Sequence, residues 1–109
     1  MNREERIGLN EAVFREVNER INDLAEHFGL EDQALDLVCE CGDPNCVERI
    51  SMSRPEYEAL RAEPTLFAVH EGHVRPELED VVDRRPSCLI VRKRAGEPAK
   101  VARETDPRS

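Results

Sequence analysis

Cys39-Glu40-Cys41-Gly42-Asp43-Pro44-Asn45-Cys46 gathers three of the chain's four cysteines into eight residues, and the rest of the chain is organised around it. The spacing is C-x-C-x4-C. Three thiols this close can share one ion, and zinc takes four soft or borderline ligands in a tetrahedron, with sulfur at about 2.3 Å. Cys39 and Cys41 flank a single residue, so they chelate together only if the backbone curls between them. Gly42 allows this because it tolerates positive φ. Asp43-Pro44 predicts a turn, with φ fixed at Pro44, that returns Cys46 to the same ion.

Three thiolates leave one corner of the tetrahedron open, and His70, His73, Cys88 and His27 are the candidates for it. His73 is preferred. In Val69-His70-Glu71-Gly72-His73 an apolar run ends at a glycine turn, and a ligand just after such a turn reaches from a strand end towards a second loop. His70 is the near alternative. Cys88, in Ser87-Cys88-Leu89-Ile90-Val91, reads as buried strand, where free cysteine acts as a small hydrophobe. His27, beside Phe28, reads as a favourable charge at a helix C-terminus. With Cys39, Cys41, Cys46 and His73 as ligands, no position remains for water or substrate, so the site reads as structural rather than catalytic. Three thiolates, a neutral imidazole and Zn2+ leave a net charge of about −1, which favours backbone N–H donors to the sulfurs.

The competing accounts of the cluster are idle thiols, a redox pair, or a disulfide with one thiol to spare. Met1-Asn2-Arg3-Glu4-Glu5 lacks the apolar region of a secretory signal, which points to the cytoplasm. Thiols stay reduced there, and a cysteine cluster then favours metal.

The 109 residues predict one domain. They are 39% hydrophobic but only 4% aromatic, with no tryptophan, so the core must be small and aliphatic. Such a domain buries barely enough apolar surface, and an ion that fixes its loops offsets part of the deficit. The net charge of −8 argues against general nucleic-acid binding, which needs a basic face. The charge is uneven: from Arg84 to Ser109 eight basic residues stand against three acidic ones. An acidic body with a basic tail can self-associate or meet an acidic partner; a plain solvated tail is the simpler reading. No apolar run of about 18 residues occurs, so no membrane span is expected.

Outward from the cluster, Leu35, Leu37 and Cys39 alternate with Asp36, Val38 and Glu40, and residues 47–52 alternate again, which predicts two strands joined by a metal-bearing turn. Such a hairpin is the core of a zinc ribbon or knuckle. Upstream, Asn2 to Phe28 predicts one helix, its apolar seam Ile7, Phe14, Val17, Ile21, Leu24 and Phe28 at heptad spacing. Asn2 with Glu5 fits a helix start, Gly8 weakens the first turns so that order could begin near Asn10, and Gly29 supplies the stop. The seam is expected to dock on the sheet; pairing with a second copy as a short coiled coil is the competing use.

Downstream, Ser53-Arg54-Pro55-Glu56 is a capping box that opens a helix through Tyr57, Leu60 and Arg61, ended by Pro64. Tyr57 and Leu60 share a core face. Thr65 to Val69 predicts a third strand. His70-Glu71-Gly72-His73 is one residue short of the H-E-x-x-H protease signature and is broken by glycine. Pro76 to Asp83 is ambiguous, with Leu78, Val81 and Val82 on one helical face. Cys88 to Lys93 predicts a fourth strand. The expected architecture is an α+β domain over 1–94, a long amphipathic helix on an antiparallel sheet of three to four strands, followed by a disordered tail over 95–109.

The C-x-C-x4-C spacing resembles the zinc cluster of the post-SET segment of lysine methyltransferases, where the fourth ligand comes from a remote part of the chain. Over a longer stretch, residues 10–21, then Cys39, Cys41-Gly42, Cys46, Glu56-Tyr57-Glu58 and Gly72-His73 are similar to a family of small actinobacterial-type proteins of unsettled function. That likeness runs over about residues 10 to 93 and implies Gly72-His73 as the histidine position. The chain departs from it at Glu71, where the family often has proline or a small residue.

These observations point to a non-enzymatic protein-interaction or regulatory module held by one structural zinc, with another protein or a second copy as partner. A zinc-thiolate redox sensor is the first alternative. A nucleic-acid-binding ribbon using Arg92-Lys93-Arg94 is the second, and an open-zinc hydrolase follows.

Overall fold

A computed structural model of the chain describes residues 1–30 and 32–108. Glu31, expected with Asp32 and Gln33 as a polar connector, and Ser109 lie outside the described residues. The order of elements is α1 (Arg3–His27), β1 (Leu35–Val38), β2 (Arg49–Met52), α2 (Arg54–Arg61), β3 (Leu66–Val69), β4 (Glu79–Arg84), β5 (Leu89–Lys93) and α3 (Glu97–Glu104).

The class is α+β, as expected, but the strands form two antiparallel sheets instead of one. β1 and β2 pair with Leu35 opposite Met52 and Val38 opposite Arg49. β3, β5 and β4 form the second sheet, with β5 in the middle. The two sheets meet at the residues after β1. The Cys39 N–H donates to the Glu48 carbonyl (3.2 Å) and continues the first sheet, whereas the next N–H, of Glu40, donates to the Ala68 carbonyl (2.9 Å) of the second. One core cluster lies around Leu37, Ile50, Tyr57, Leu60 and Ile90, and another around Phe67, Val69, Val91 and the cysteines 39 and 41.

α1 begins at Arg3, with the Asn2 side chain capping the Glu5 N–H at 2.7 Å, so Gly8 does not delay it. Gly8 is instead where α3 crosses: a Cβ there would lie 2.6 Å from Val101 Cγ1. The buried face of α1 corrects the sequence reading. It consists of Ile7, Glu11, Arg15, Asn18, Asn22 and Ala25, while Val17, Leu24 and Phe28 of the apolar seam, and Val13 beside it, are exposed. The polar residues are tolerated inside because each meets a partner. Asn18 Nδ2 donates to the Val38 carbonyl at 2.9 Å and its Oδ1 accepts the Val38 N–H at 2.8 Å, closing the free edge of β1. The Arg15 guanidinium donates to the carbonyls of Pro64 (2.6 Å) and Ala102 (2.8 Å) and stacks on Phe67.

α2 carries the expected capping box, with Ser53 and Glu56 each bonded to the other's backbone N–H. Residues 76–83, read as ambiguous with a helical face, contain most of strand β4. A register shift between Val81 and Asp83 leaves Val82 out of the ladder, so the strand accommodates two adjacent valines that break the period-two alternation.

The 95–109 tail is also corrected. Gly96 turns the chain at φ +101°, Pro98 sits in the first turn, and α3 buries Ala99, Val101 and Ala102 against α1. Arg108 then bonds Glu19 (2.8 Å) and Glu58 (2.7 Å). The segment 97–108 therefore belongs to the domain. A radius of gyration of 13.1 Å agrees with one body of this length, for which about 13 Å is expected.

Candidate metal centre

The junction between the sheets places the cysteines. Successive N–H groups pointing to opposite sheets mean an extended chain at Cys39-Glu40, and residues two apart on such a chain share a face. Cys39 and Cys41 accordingly point one way and Glu40 the other.

Glu40 is the anchor, and the sequence reading missed it. It is fully buried and forms a bidentate pair with Arg61 (3.0 and 3.2 Å). It also accepts from Asn18 Nδ2 at 2.7 Å and from the Ala68 N–H at 3.0 Å. A charged residue between two chelating cysteines was a signal that could have been read: it must either face solvent or find a buried cation, and Arg61 on the core face of α2 supplies one.

After Cys41 the chain turns at Gly42, φ +79°, a backbone region that favours glycine. A Cβ there would stand 2.7 Å from Glu11 Cγ and 3.0 Å from the Ile7 carbonyl oxygen, so α1 packs directly on the turn. Asn10 Nδ2 donates to the Gly42 carbonyl and Arg75 Nε to the Cys41 carbonyl, both at 3.1 Å. The Asp43 side chain accepts the Asn45 N–H (2.9 Å) and the Asp43 carbonyl the Cys46 N–H (3.0 Å), which folds Cys46 back. From the other side, β3 ends in a turn closed by the His73 N–H to the His70 carbonyl at 3.0 Å, with Gly72 at φ +91°.

The result is one cluster. The sulfurs of Cys39, Cys41 and Cys46 and a ring nitrogen of His73 lie within 4.8 Å of one another and could hold a metal ion. His73 Nδ1 is 3.4 Å from the Cys46 sulfur and 3.7 Å from that of Cys39. Cys39 and Cys41 are buried, Cys46 and His73 half-buried.

The other candidates for the fourth position stand outside the donor set. His70 turns its ring to the Glu71 carbonyl (2.8 Å) and towards Glu48 (3.6 Å). Cys88 is in the aliphatic core with Leu60 and Ile90. His27 is exposed at the end of α1, edge-on to Phe28.

The His70 N–H donates to the Cys39 sulfur at 3.1 Å; the Asp43 and Glu48 backbone N–H groups favour the thiolate forms of Cys41 and Cys46. Without an ion the three thiols share protons unequally. The hydrogen bond from the Cys39 thiol, helped by the Asp43 N–H, lowers Cys41 to about 5, while donating that bond, together with burial, pushes Cys39 up. Donors aimed at sulfur stabilise thiolate, the form that binds metal.

A second buried ionic group lies behind the turn. Lys93 Nζ is held between Glu11 of α1 and Glu79 of β4, and all three are buried. Burial, only partly offset by Lys93, raises the Glu11 carboxyl to about 7.

Fold and cluster together define a small α+β domain with a Cys3His donor set at the seam of two sheets. No protein-family model matches the chain, and no curated protein or solved structure matches it either.

Proposed function

We propose that the chain is a non-enzymatic protein-interaction or regulatory module whose loops are locked by one structural zinc ion on Cys39, Cys41, Cys46 and His73. The observation that carries this is the spacing of the donors. Zinc–sulfur bonds of about 2.3 Å and zinc–nitrogen bonds of about 2.0–2.1 Å at tetrahedral angles separate sulfur from nitrogen by about 3.5 Å. The two sulfur–nitrogen separations in the cluster, 3.4 and 3.7 Å, bracket that value. The His70 N–H donor to Cys39, with the thiolate-favouring backbone groups of Asp43 and Glu48, suits a site of net charge about −1. Four protein ligands complete the tetrahedron, so the ion holds the Cys41–Cys46 turn and the His73 turn together instead of activating water.

Zinc analysis of protein purified without chelator tests the reading, together with Cys41→Ser and His73→Ala. One zinc per chain is expected, with loss of metal and of cooperative unfolding in Cys41→Ser and much weaker binding in His73→Ala. A metal-free protein that unfolds cooperatively would sink it.

A second reading, a zinc-thiolate redox sensor, is favoured by one feature. Cys46 is half-buried while its two partners are buried, which gives an oxidant one accessible sulfur. Zinc retained at peroxide levels that oxidise free thiols would eliminate it. The basic run 92–94 gives little to a nucleic-acid reading: Lys93 is buried, Arg92 is paired with Glu63 and Arg94 with Asp80.

A further inference from the structure

The fold folds its own polar stripe of α1 inward and leaves the apolar stripe outside. Val13, Leu24 and Phe28 are 60%, 58% and 68% exposed, and Val17 is 40% exposed. From Val13 to Phe28 the stripe runs about 22 Å along the helix, at 1.5 Å per residue. One border is the domain itself, where a recess of about 310 Å³ is lined by Leu24, Phe28, Leu30 and Leu35. The other border is charged, with Glu16, Arg20, Asp23 and His27 in succession, all exposed.

We propose that this stripe is a homodimer interface in which two α1 helices pack antiparallel about a two-fold axis passing between Ile21 and Asn22. The inference names the partner for the interaction half of the proposed function and rests on it. Two features argue for a second copy. The first is that the stripe interdigitates with itself. In that register Val17 stands between the second copy's Leu24 and Phe28, and Leu24 between its Ile21 and Val17, each at the height of a gap. The second is charge. A two-fold axis brings the same border of each helix together, so Arg20 stands level with the second copy's Asp23 and Glu16 with its His27, each contact occurring twice. The strip alone belongs with weak, reversible interfaces that bury under about 1,200 Å². Long-range repulsion between two copies of net charge −8 opposes the contact and is screened beyond about 8 Å at physiological salt.

The test is sedimentation equilibrium of the full-length zinc-loaded protein across the micromolar range at physiological salt, with zinc content measured for every variant. A reversible dimer is expected. Leu24→Glu, at an exposed position, should weaken it at least about tenfold while zinc and fold are kept. Arg20→Asp and Asp23→Arg should each weaken it about three- to tenfold, because each breaks two symmetric contacts, and the double swap should restore it. A monomer throughout, a dimer indifferent to Leu24→Glu, or a double swap that restores nothing overturns the interface. In the first case, the stripe belongs to a different protein. A wild type that takes up no zinc and still dimerises would overturn the zinc site and leave the interface standing.

Discussion

Replacing Glu40 by alanine removes the one anion among the described residues that pairs with Arg61 in the interior. The Glu40 side chain is fully buried and that of Arg61 is 2% exposed, so the guanidinium is left without access to bulk water. Arg61 Nε already has no hydrogen-bond partner among the described residues, so the guanidinium depends on the two nitrogens that Glu40 accepts from. Ala68 N–H loses its side-chain acceptor, and Asn18 Nδ2 keeps only the Val38 carbonyl. Removing one partner of a buried pair costs on the order of 3–5 kcal/mol, chiefly from the charge left behind. In a domain stable by about 5–15 kcal/mol that is a large share, and at roughly 4–8 °C per kcal/mol the melting temperature falls by roughly 12–24 °C at the lower limit. The assay is urea unfolding of the zinc-loaded wild type, Glu40→Ala, Arg61→Met, and the Glu40→Leu/Arg61→Met double variant. Since most of the cost is an unpaired charge, the double variant should recover at least half of what Glu40→Ala loses. A loss below about 1 kcal/mol in Glu40→Ala, the value of a surface pair, would refute the buried-charge argument. So would a double variant worse than both singles.

Four further outcomes follow. Gly42→Ala forces a β-carbon against the Ile7 carbonyl at positive φ, and should destabilise by about 2–4 kcal/mol from backbone strain and overpacking, read by urea unfolding. Truncation after Arg94 removes α3 and strips Arg15 of its Ala102 and Thr105 acceptors, so unfolding should shift by more than about 2 kcal/mol; an unchanged midpoint would return the tail to a dispensable role. Glu11 binds its proton more tightly when folded, about 7 against an ordinary 4.5, so the folded chain holds more protons between those values. The stability it contributes is therefore present below about pH 4.5 and lost as pH rises towards 7. Relative to Glu11→Gln, the wild type should weaken from pH 5.5 to 7 and then level off, and a relative gain over that span would contradict the assignment. Cys88→Ala should keep zinc and lose about 1 kcal/mol, since its thiol only fills core space.

How much of this could be read from the chain depends on which force dominates locally. The cysteine loop was legible because few arrangements of three thiols, a glycine and an Asp-Pro turn are chemically useful, and His73 followed from the glycine before it. The short strands at Leu35–Val38 and Arg49–Met52 were legible because one face is core and the other solvent. The inner face of α1 was not. The helix carries two stripes at helical spacing, one aliphatic and one polar, and hydrophobic periodicity selects the first. Arg15, Asn18 and Asn22 could have been read as inward only by knowing that an exposed strand edge, two carbonyls and a carboxylate waited there, and those partners are supplied by contacts 20 to 90 residues away. The tail failed for a related reason: its charges suggest solvent, whereas Ala99, Val101 and Ala102 suffice for a short helix that packs over Gly8 and against the Phe67 cluster.

Cys39 and Glu40 show why metal and fold should stand or fall together. Their consecutive N–H groups join different sheets, their side chains go to the cluster and to Arg61, and the Gly42 turn beyond them supports α1. If the proposed ion is withheld from the sulfurs, the neighbouring thiols must share protons in one buried space, and the segment that hinges both sheets should loosen where it cannot shift without exposing Glu40. If the ion pair is broken, the backbone that holds Cys39 and Cys41 on one face loses its opposite anchor. Zinc affinity should therefore fall in Glu40→Ala although Glu40 is no ligand, by about 10- to 100-fold, the usual effect of groups that orient ligands from behind. Chelator competition measures it. Unchanged affinity in a destabilised variant would mean that the loop is positioned by its own turns at Gly42 and Asp43, and that the two halves of the junction are mechanically independent.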